Sequence, residues 1–180
     1  MRIFVASDIH GRVTRMETLS KRIEEFNPDK IFLLGDFMYN GPRNGVPDDY
    51  EPMKVSEMLN PFASKIIAVR GNCDSRVDEM LLKFPLEDVR RFELDGQFYD
   101  LYHGDEFSLN LLKPQKGDVL VSGHTHIQVL EEKDGTIFLN PGSTSFPKGG
   151  NEASYATIEE KHIAIHRLND SSIIKELDIK

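Results

Sequence analysis

The sequence is poor in cysteine, lacks long apolar runs and has no excess of positive charge. Its one cysteine, Cys73, excludes an intramolecular disulfide and a thiolate-based structural zinc site, and it fits a reducing compartment. No stretch approaches about 18 apolar residues, so we expect no membrane-spanning helix. The first apolar run, at 2–7, is too short for a signal peptide, and we therefore expect a cytoplasmic protein.

Acidic residues outnumber basic ones, with 30 Asp and Glu against 22 Lys and Arg and a net charge of -8. This balance argues against an extended nucleic-acid-binding surface and against a surface for anionic membranes. It does not exclude a small phosphorylated substrate, because a metal ion can supply positive charge locally. A chain of 180 residues with 39% hydrophobic residues predicts a single domain over 1–180 with its own core.

Short apolar runs alternate with amphipathic segments in the first half of the chain. Apolar residues recur three and four positions apart from Val13 to Phe26, which predicts an amphipathic helix. Further helices are predicted at 53–63 and 75–83. The runs that predict buried strands are 2–7, 30–34 and 65–69. Because helices connect these strands, we expect them to be parallel.

The second half of the chain has a β-rich pattern. Asp95-Gly96 and Asp134-Gly135 each separate two apolar segments, which predicts two hairpins. A short helix is predicted near 106–112 and a buried strand at 119–122. Apolar and polar residues alternate at 155–158, 162–168 and 173–179, as in half-buried antiparallel strands. The fold class predicted is α/β, with two β-sheets packed face to face as a sandwich flanked by helices.

Side chains able to bind metal ions follow the predicted strands. These residues are Asp8, His10, Asp36, Asn72, His103, His124 and His126. A single histidine is more often structural than a ligand, but several donors at strand ends, in this order, indicate a metal site. Oxygen and nitrogen donors suit two borderline divalent ions, such as Mn²⁺, Fe²⁺, Co²⁺, Ni²⁺ or Zn²⁺. Asp36 is our candidate for the carboxylate that bridges two ions.

A two-metal site predicts hydrolysis of a phosphate ester. Such a site clamps phosphate oxygens, lowers the pKa of a water so that hydroxide exists near neutral pH, and stabilises charge on the attacking and leaving oxygens. Arg43, in the long loop at 37–52, and Lys148 are candidate phosphate contacts. A solvated surface arginine is an equally good interpretation of Arg43.

The ordered motifs resemble those of the calcineurin-like metallophosphoesterase superfamily, over nearly the whole chain. They are Asp8-Ile9-His10, Gly35-Asp36, Gly71-Asn72, His103-Gly104 and Gly123-His124-Thr125-His126. The finer pattern, which includes Gly41-Pro42-Arg43-Asn44 and Asn140-Pro141-Gly142-Ser143, resembles the small bacterial YfcE-type phosphodiesterases. The resemblance implies the metallophosphoesterase-type double β-sheet sandwich, with metals at the strand ends.

The resemblance also implies two metal ions, most often manganese, and hydrolysis of small phosphodiester substrates. It assigns the first ion to Asp8, His10, Asp36 and His126. It assigns the second ion to Asp36, Asn72, His103 and His124. In this interpretation Asp36 and Asn72 are catalytic as well as ligating, and Cys73 joins them.

Two positions depart from the pattern of relatives. Cys73 stands where many have a histidine that protonates the leaving group. Its thiol could donate a proton or be a small buried hydrophobe, and either role favours diesters over monoesters. Asp105 stands where a second histidine often follows His103. It could orient a histidine ligand or be a solvated loop residue.

Two other functions stay open at this point. One is a protein-binding scaffold like the Vps29-type retromer subunits, which share the fold and have little or no catalysis. The complete set of predicted ligands favours an enzyme over that scaffold. The other is a phosphomonoesterase, which Cys73 disfavours. The sequence leaves the physiological substrate open, and a homo-oligomer is one of the states it allows.

Overall fold

A computed structural model describes the backbone of residues 1–180 and every side chain except that of Leu109. The strands, numbered in chain order, are β1 (Arg2–Ala6), β2 (Lys30–Leu33), β3 (Ile66–Val69), β4 (Leu86–Glu87), β5 (Val89–Leu94), β6 (Gln97–Tyr102), β7 (Val119–Val121), β8 (Gln128–Lys133), β9 (Thr136–Pro141), β10 (Ser154–Glu159), β11 (His162–Arg167) and β12 (Ile173–Asp178). The helices are α1 (Val13–Phe26), α2 (Pro52–Leu59) and α3 (Glu106–Leu109), with 3-10 turns at Asn60–Phe62 and Asp78–Met80.

The strands form two mixed sheets, in agreement with the predicted double-sheet class. The first has seven strands in the order β12-β11-β10-β1-β2-β3-β4, and the second has five in the order β5-β6-β7-β9-β8. The neighbours β1, β2 and β3 are parallel, as the crossover rule predicts. In the second sheet, β7 is parallel to both β6 and β9. The carboxyl ends of these parallel strands carry the loops that contain the predicted ligands.

Successive side chains of β1 point to opposite faces of the first sheet and pack in two separate cores. Ile3 and Val5 pack in the core between the sheets, together with Val119 and Leu139 of the second sheet. Phe4, one position along, packs in the core beneath the helices. Full burial of such a side chain contributes about 2 kcal/mol. The first sheet is therefore apolar on both faces, which explains the continuous apolar runs of β1 and β2.

Helix α1 covers the outer face of the first sheet, as its periodicity predicts. Val13, Met16, Leu19 and Ile23 are buried on one side of the helix. The helix ends at Asn27, whose left-handed backbone (φ 47°) allows its N–H to donate to the carbonyl of Ile23. The predicted extent of this helix is confirmed.

Three other predicted helices are shorter than expected. The segment 75–83 holds only the 3-10 turn Asp78–Met80, and its apolar residues Val77 and Met80 are exposed rather than packed on a core. The helix predicted at 53–63 is shorter in the structure, where α2 is followed by a 3-10 turn. Pro61 lies just after α2 and has no N–H with which to continue the hydrogen bonds of the helix. The predicted helix near 106–112 is reduced to α3.

The short strand β4 was not predicted, because two residues carry no periodicity. Among the described residues, no helix combines the length and the apolar character needed to cross a bilayer.

Candidate metal centre

The seven predicted ligands lie at the ends of five parallel-paired strands and face one another. Asp8 and His10 follow β1, Asp36 follows β2 and Asn72 follows β3. His103 follows β6, and the His124 and His126 pair follows β7. The structure brings these side chains together from both sheets at one edge of the sandwich, as predicted.

The backbone at these positions is unusual. Asp8, His10, Asp36, His124 and His126 all have φ between 51° and 65°, in the left-handed region that non-glycine residues seldom adopt. Such conformations cost free energy and persist where the surrounding structure holds them, most often at functional sites. The loops therefore hold these residues in unfavourable backbone conformations, which direct their side chains toward one point.

A first cluster of donors forms around Asp8. The Nε2 atoms of His10 and His126 lie 3.2 Å apart, and Nε2 of His126 lies 3.2 Å from Oδ1 of Asp8. Nε2 of His10 is 3.7 Å from the same carboxylate oxygen. These three residues can place their donor atoms around one ion.

A second cluster forms around the amide oxygen of Asn72. This Oδ1 lies 3.0 Å from Nε2 of His103 and 2.8 Å from Nδ1 of His124. The two ring nitrogens are themselves 3.2 Å apart. The amide oxygen and the two ring nitrogens again converge on one point.

Asp36 lies between the two clusters. Its Oδ2 is 3.6 Å from Nε2 of His10, in the first cluster. Its Oδ1 is 3.6 Å from Nε2 of His103, in the second cluster. One carboxylate thus turns one oxygen to each group of donors, the arrangement expected of a bridging ligand.

Backbone carbonyls fix the orientation of three histidine rings. In His10, His103 and His126, Nδ1 lies 2.6–2.7 Å from a carbonyl oxygen. The carbonyls belong to Tyr39, Leu34 and Phe146. A carbonyl only accepts hydrogen bonds, so Nδ1 carries the proton in each ring and Nε2 presents a lone pair to its cluster. This is the outer-shell support that metal-ligating histidines usually have.

The donor set fits divalent cations. Oδ1 of Asp8 is fully buried and has no hydrogen-bond partner among the described residues, although buried polar atoms nearly always have one. Its neighbours are the lone pairs of two histidines, so a cation is the partner that satisfies all three. The individual ligand assignments stay predictions.

The two carboxylates shift the pKa values of the neighbouring imidazoles. Burial alone would lower the pKa of His103, but the charges of Asp36 and Asp8 outweigh it and raise this pKa above its usual value. Burial and the nearby His103 lower the pKa of His124. Burial raises the pKa of Asp8, but the nearby imidazoles of His126 and His103 and the hydroxyl of Ser7 outweigh it and hold this pKa below the usual value.

Asp74 supports the centre, and sequence reasoning gave it no role. Its carboxylate is 9% exposed and accepts the backbone N–H groups of Asp36, Phe37 and Gly71 at 2.8–2.9 Å. The close spacing of Asp74 to Asn72 was the available signal, since an acidic residue in a tight loop often accepts backbone N–H groups.

The buried segment Ser143–Ser145 holds the loop of Asp8 and His10. The hydroxyl of Ser143 donates to the carbonyl of Asp8 at 3.0 Å, and that of Ser145 donates to the carbonyl of Ile9. Asn140 donates to the carbonyl of Gly123, just before His124, at 2.7 Å. The motif Asn140–Ser143 carried no assigned role in the sequence, although the three successive hydroxyl residues Ser143, Thr144 and Ser145 were a signal of buried polar contacts.

A cavity of about 100 Å³ is lined by five of the seven predicted ligands, namely His10, Asp36, Asn72, His124 and His126. Arg43 and Lys148 also line it, and both are exposed, so the two predicted phosphate contacts do lie at its mouth. Cys73 is at its wall, and its backbone N–H donates to Oδ1 of Asp36 at 2.8 Å. Burial and the charge of Asp36 raise the pKa of the Cys73 thiol to about 12.

Asp105 has a role that the sequence did not suggest. Its carboxylate accepts the backbone N–H of Ser108 at 2.9 Å and also the Ser108 hydroxyl, and so caps the first turn of α3. These bonds outweigh burial and lower the pKa of Asp105. The residue fixes the loop after His103 through this cap.

Comparison with known proteins finds relatives over nearly the whole chain. The family model of the calcineurin-like phosphoesterase superfamily domain matches residues 1–162. The chain is 44% identical to phosphodiesterase YfcE of Escherichia coli strain K12 over 181 residues, which cover 99% of this chain and 98% of that protein. The solved structure of YfcE, a phosphoesterase from E. coli, superposes with a TM-score of 0.95 at 43% identity and covers all of both chains.

A more distant likeness concerns the fold alone. Vps29 from Entamoeba histolytica, solved in complex with zinc, superposes with a TM-score of 0.66 at 20% identity over the full length of both chains. Both enzymes and sorting proteins thus share this sandwich, and the choice between them depends on the site.

Proposed function

The chain belongs to the calcineurin-like phosphoesterase superfamily, whose members use divalent metal ions, and we propose that it is a metal-dependent phosphodiesterase for small substrates. The observation that carries the proposal is Asp36, whose two oxygens face two separate clusters of nitrogen and oxygen donors. The 44% identity to a protein named phosphodiesterase YfcE supports the same reaction class.

The first ion would be held by Asp8, His10 and His126, and the second by Asn72, His103 and His124, with Asp36 shared. We propose Mn²⁺ as the native ion, since nitrogen and oxygen donors without thiolate suit it, and Ni²⁺, Co²⁺, Fe²⁺ and Zn²⁺ as alternatives. Bound divalent ions would supply Lewis-acid chemistry, which lowers the pKa of a water and offsets charge on phosphate oxygens.

The protein's own residues position the substrate and the ligands. Arg43 and Lys148 at the cavity mouth attract the phosphate anion and orient it toward the centre. Hydrogen bonds from Nδ1 of three histidines to backbone carbonyls keep the Nε2 lone pairs of these rings directed into the centre before substrate binds. The rings therefore need little reorientation during the reaction.

Diesters are favoured over monoesters at this site. A monoester with a poor leaving group needs a strong proton donor beside the leaving oxygen. The position that holds histidine in many relatives is Cys73, and a thiol is a weaker acid than an imidazolium. A diester with a stable leaving anion depends less on such a donor.

The scaffold alternative is less well supported. A scaffold has no need for oriented donors, yet this chain keeps all seven and supports three of its histidines with carbonyl bonds. The likeness to Vps29 concerns the fold and carries no argument about binding.

Paired hydrolysis assays test the proposal. The metal-stripped protein would be assayed on bis(p-nitrophenyl) phosphate and on p-nitrophenyl phosphate, with and without Mn²⁺. We expect Mn²⁺-dependent cleavage of the diester, slower cleavage of the monoester, and loss of both in Asp36→Asn. The matched control is Asp95→Asn in the exposed β5–β6 turn, where Asn suits the positive φ. Absence of turnover in folded, metal-loaded protein contradicts the proposal.

We further propose a cytoplasmic location, since the lone thiol of Cys73 in the site is best preserved in a reducing compartment. A homo-oligomer through edge strands such as β5 or β12 is also proposed. Sedimentation at several protein concentrations would distinguish it from a monomer.

A further inference from the structure

A second cavity, of about 320 Å³, opens beside the metal centre. Its walls are apolar and aromatic: Met38, Tyr39, Tyr50, Met53 and Leu81. A volume of about 300 Å³ or more with mostly apolar walls is typical of small-molecule sites. We call it the ring subsite.

The ring subsite lies next to the catalytic cavity. Cys73 lines both cavities. The carbonyl of Tyr39 accepts the Nδ1–H of His10 at 2.7 Å, while the side chain of Tyr39 lines the ring subsite. The ring of Tyr50 packs against Gly11, so closely that a Cβ there would lie 2.5 Å from it. Two walls of the subsite are thus built onto the loop that carries Asp8 and His10.

The size of the catalytic cavity explains why a second space is needed. Its volume is about 100 Å³. A cavity that binds benzene has about 150 Å³, so the catalytic cavity can take a phosphate group but no aromatic substituent. A diester carries two organic substituents, and the neighbouring space beside Cys73 is large enough for one of them.

The chemistry of the walls favours a flat, uncharged ring. Tyr39 is 44% exposed and Met53 is 55% exposed, so both offer apolar area that is still open to contact. Aromatic faces and thioethers both pack well against rings. Asp78 is the charged residue of the lining, and its carboxylate repels a second anionic group.

We propose that the ring subsite binds one aromatic substituent of the phosphodiester while its phosphate lies at the metal centre. The inference rests on the proposed phosphodiesterase function and narrows its substrate class to diesters with an uncharged aromatic or heteroaromatic group. Substrates with small alkyl groups or with a second anionic group are disfavoured.

Phosphonates with one substituent give the sharpest test, because only one group can enter the subsite. Calorimetry on the Mn²⁺-loaded protein would compare phenylphosphonate with methylphosphonate. We expect phenylphosphonate to bind about tenfold more tightly, since the ring buries apolar area that a methyl group lacks. In Tyr39→Ala and Met53→Ala the advantage should fall to about twofold or less, because these variants remove wall area.

Met80→Ala is the matched control. Met80 is 82% exposed, two positions from Asp78, and is absent from the described lining of the subsite. We expect it to retain the full preference for the ring. The proposal is overturned if the parent protein binds the two phosphonates with equal affinity or binds neither of them. It is also overturned if the preference for phenylphosphonate is unchanged in both Tyr39→Ala and Met53→Ala.

Hydrolysis of bis(p-nitrophenyl) phosphate on the same samples separates the two proposals. Preference for the ring without turnover would contradict the phosphodiesterase and leave the subsite intact. Turnover without preference for the ring would overturn the subsite alone.

Discussion

The carboxylate of Asp74 accepts the backbone N–H of Asp36 at 2.8 Å. The same oxygen accepts the N–H of Gly71 at 2.8 Å, and the other oxygen accepts the N–H of Phe37 at 2.9 Å. One buried side chain thereby ties the loop after β2 to the loop after β3. Burial and the charge of Asp36 raise the pKa of Asp74 to about 7, whereas the three N–H donors favour its ionised form.

Asp74→Asn should weaken metal binding without removing a predicted ligand. An amide has one acceptor oxygen, so at least one of the three N–H groups loses its partner and the Asp36 loop shifts. We expect metal affinity to fall about 10- to 100-fold, as for other outer-shell residues. Titration calorimetry with Mn²⁺ would measure it, with Asp95→Asn as control. Unchanged affinity would show that Asp74 does not position Asp36.

Cys73→Ala tests whether the thiol is the proton donor. Removal of a general acid costs about 100- to 10,000-fold in rate. Because a thiol is a weaker acid than an imidazolium and a diester with a stable leaving anion needs little proton donation, we expect kcat on bis(p-nitrophenyl) phosphate to change less than about threefold. Cys73→His should raise the rate on the monoester relative to the diester. A loss of about 100-fold or more in Cys73→Ala would instead assign the acid role to the thiol.

His166 should make stability depend on pH. Burial lowers its pKa, and its ring stacks on Tyr155 with 5.0 Å between centroids. The unfolded state, with a pKa near 6.5, therefore binds the proton more tightly than the folded state. The free energy of unfolding contributed by His166 is intact above about pH 6.5 and decreases as pH falls from there toward the folded-state pKa.

Urea unfolding of the parent protein and of His166→Gln between pH 5 and pH 8 would measure this contribution. Other histidines titrate in both proteins, so the difference between their slopes isolates His166. We expect the variant to lose less stability between about pH 7 and pH 5. Identical slopes would mean that His166 takes up its proton in the folded state as readily as in the unfolded state.

Arg91 stabilises two buried carboxylates in the second sheet. It donates to Asp100 at 2.9 Å and to Asp118 at 3.1 Å, and these two carboxylates are 2% and 4% exposed. Arg91→Met would leave both without this partner, at a cost on the order of 2 kcal/mol at pH 7. Arg90→Met is the control, because its pairing with Glu87 is exposed and worth less than about 1 kcal/mol.

Acid should partly rescue Arg91→Met. Burial raises the pKa of Asp100, and Arg91 opposes this rise. Without Arg91 the folded-state pKa rises further, so the penalty is present above that pKa and is relieved as pH falls and the carboxyl group protonates. Unfolding curves at pH 7 and pH 5 would measure the rescue. Equal destabilisation at both values would show that the loss came from packing instead.

Hydrophobic periodicity predicted secondary structure correctly where that structure depends on residues close together in the chain. The spacing of Val13, Met16, Leu19 and Ile23 predicted α1, because a helix buries residues of its own turns. The segment 75–83 reaches the core through Leu82 near its end, whereas Val77 and Met80 lie exposed. A helix prediction there was wrong because tertiary packing, rather than local preference, decides the conformation of so short a segment.

The sequence alone determined which side chains can donate to a metal ion and that each of them follows a strand. Both could be predicted because the end of a strand depends on residues that are close together in the chain. Only the tertiary structure decided that Asp36 faces His10 with one oxygen and His103 with the other. It also brought Asp74 beneath Asp36 and opened the ring subsite beside Cys73. These relationships join residues many positions apart, and their distances are set by how two sheets pack, which no local pattern encodes.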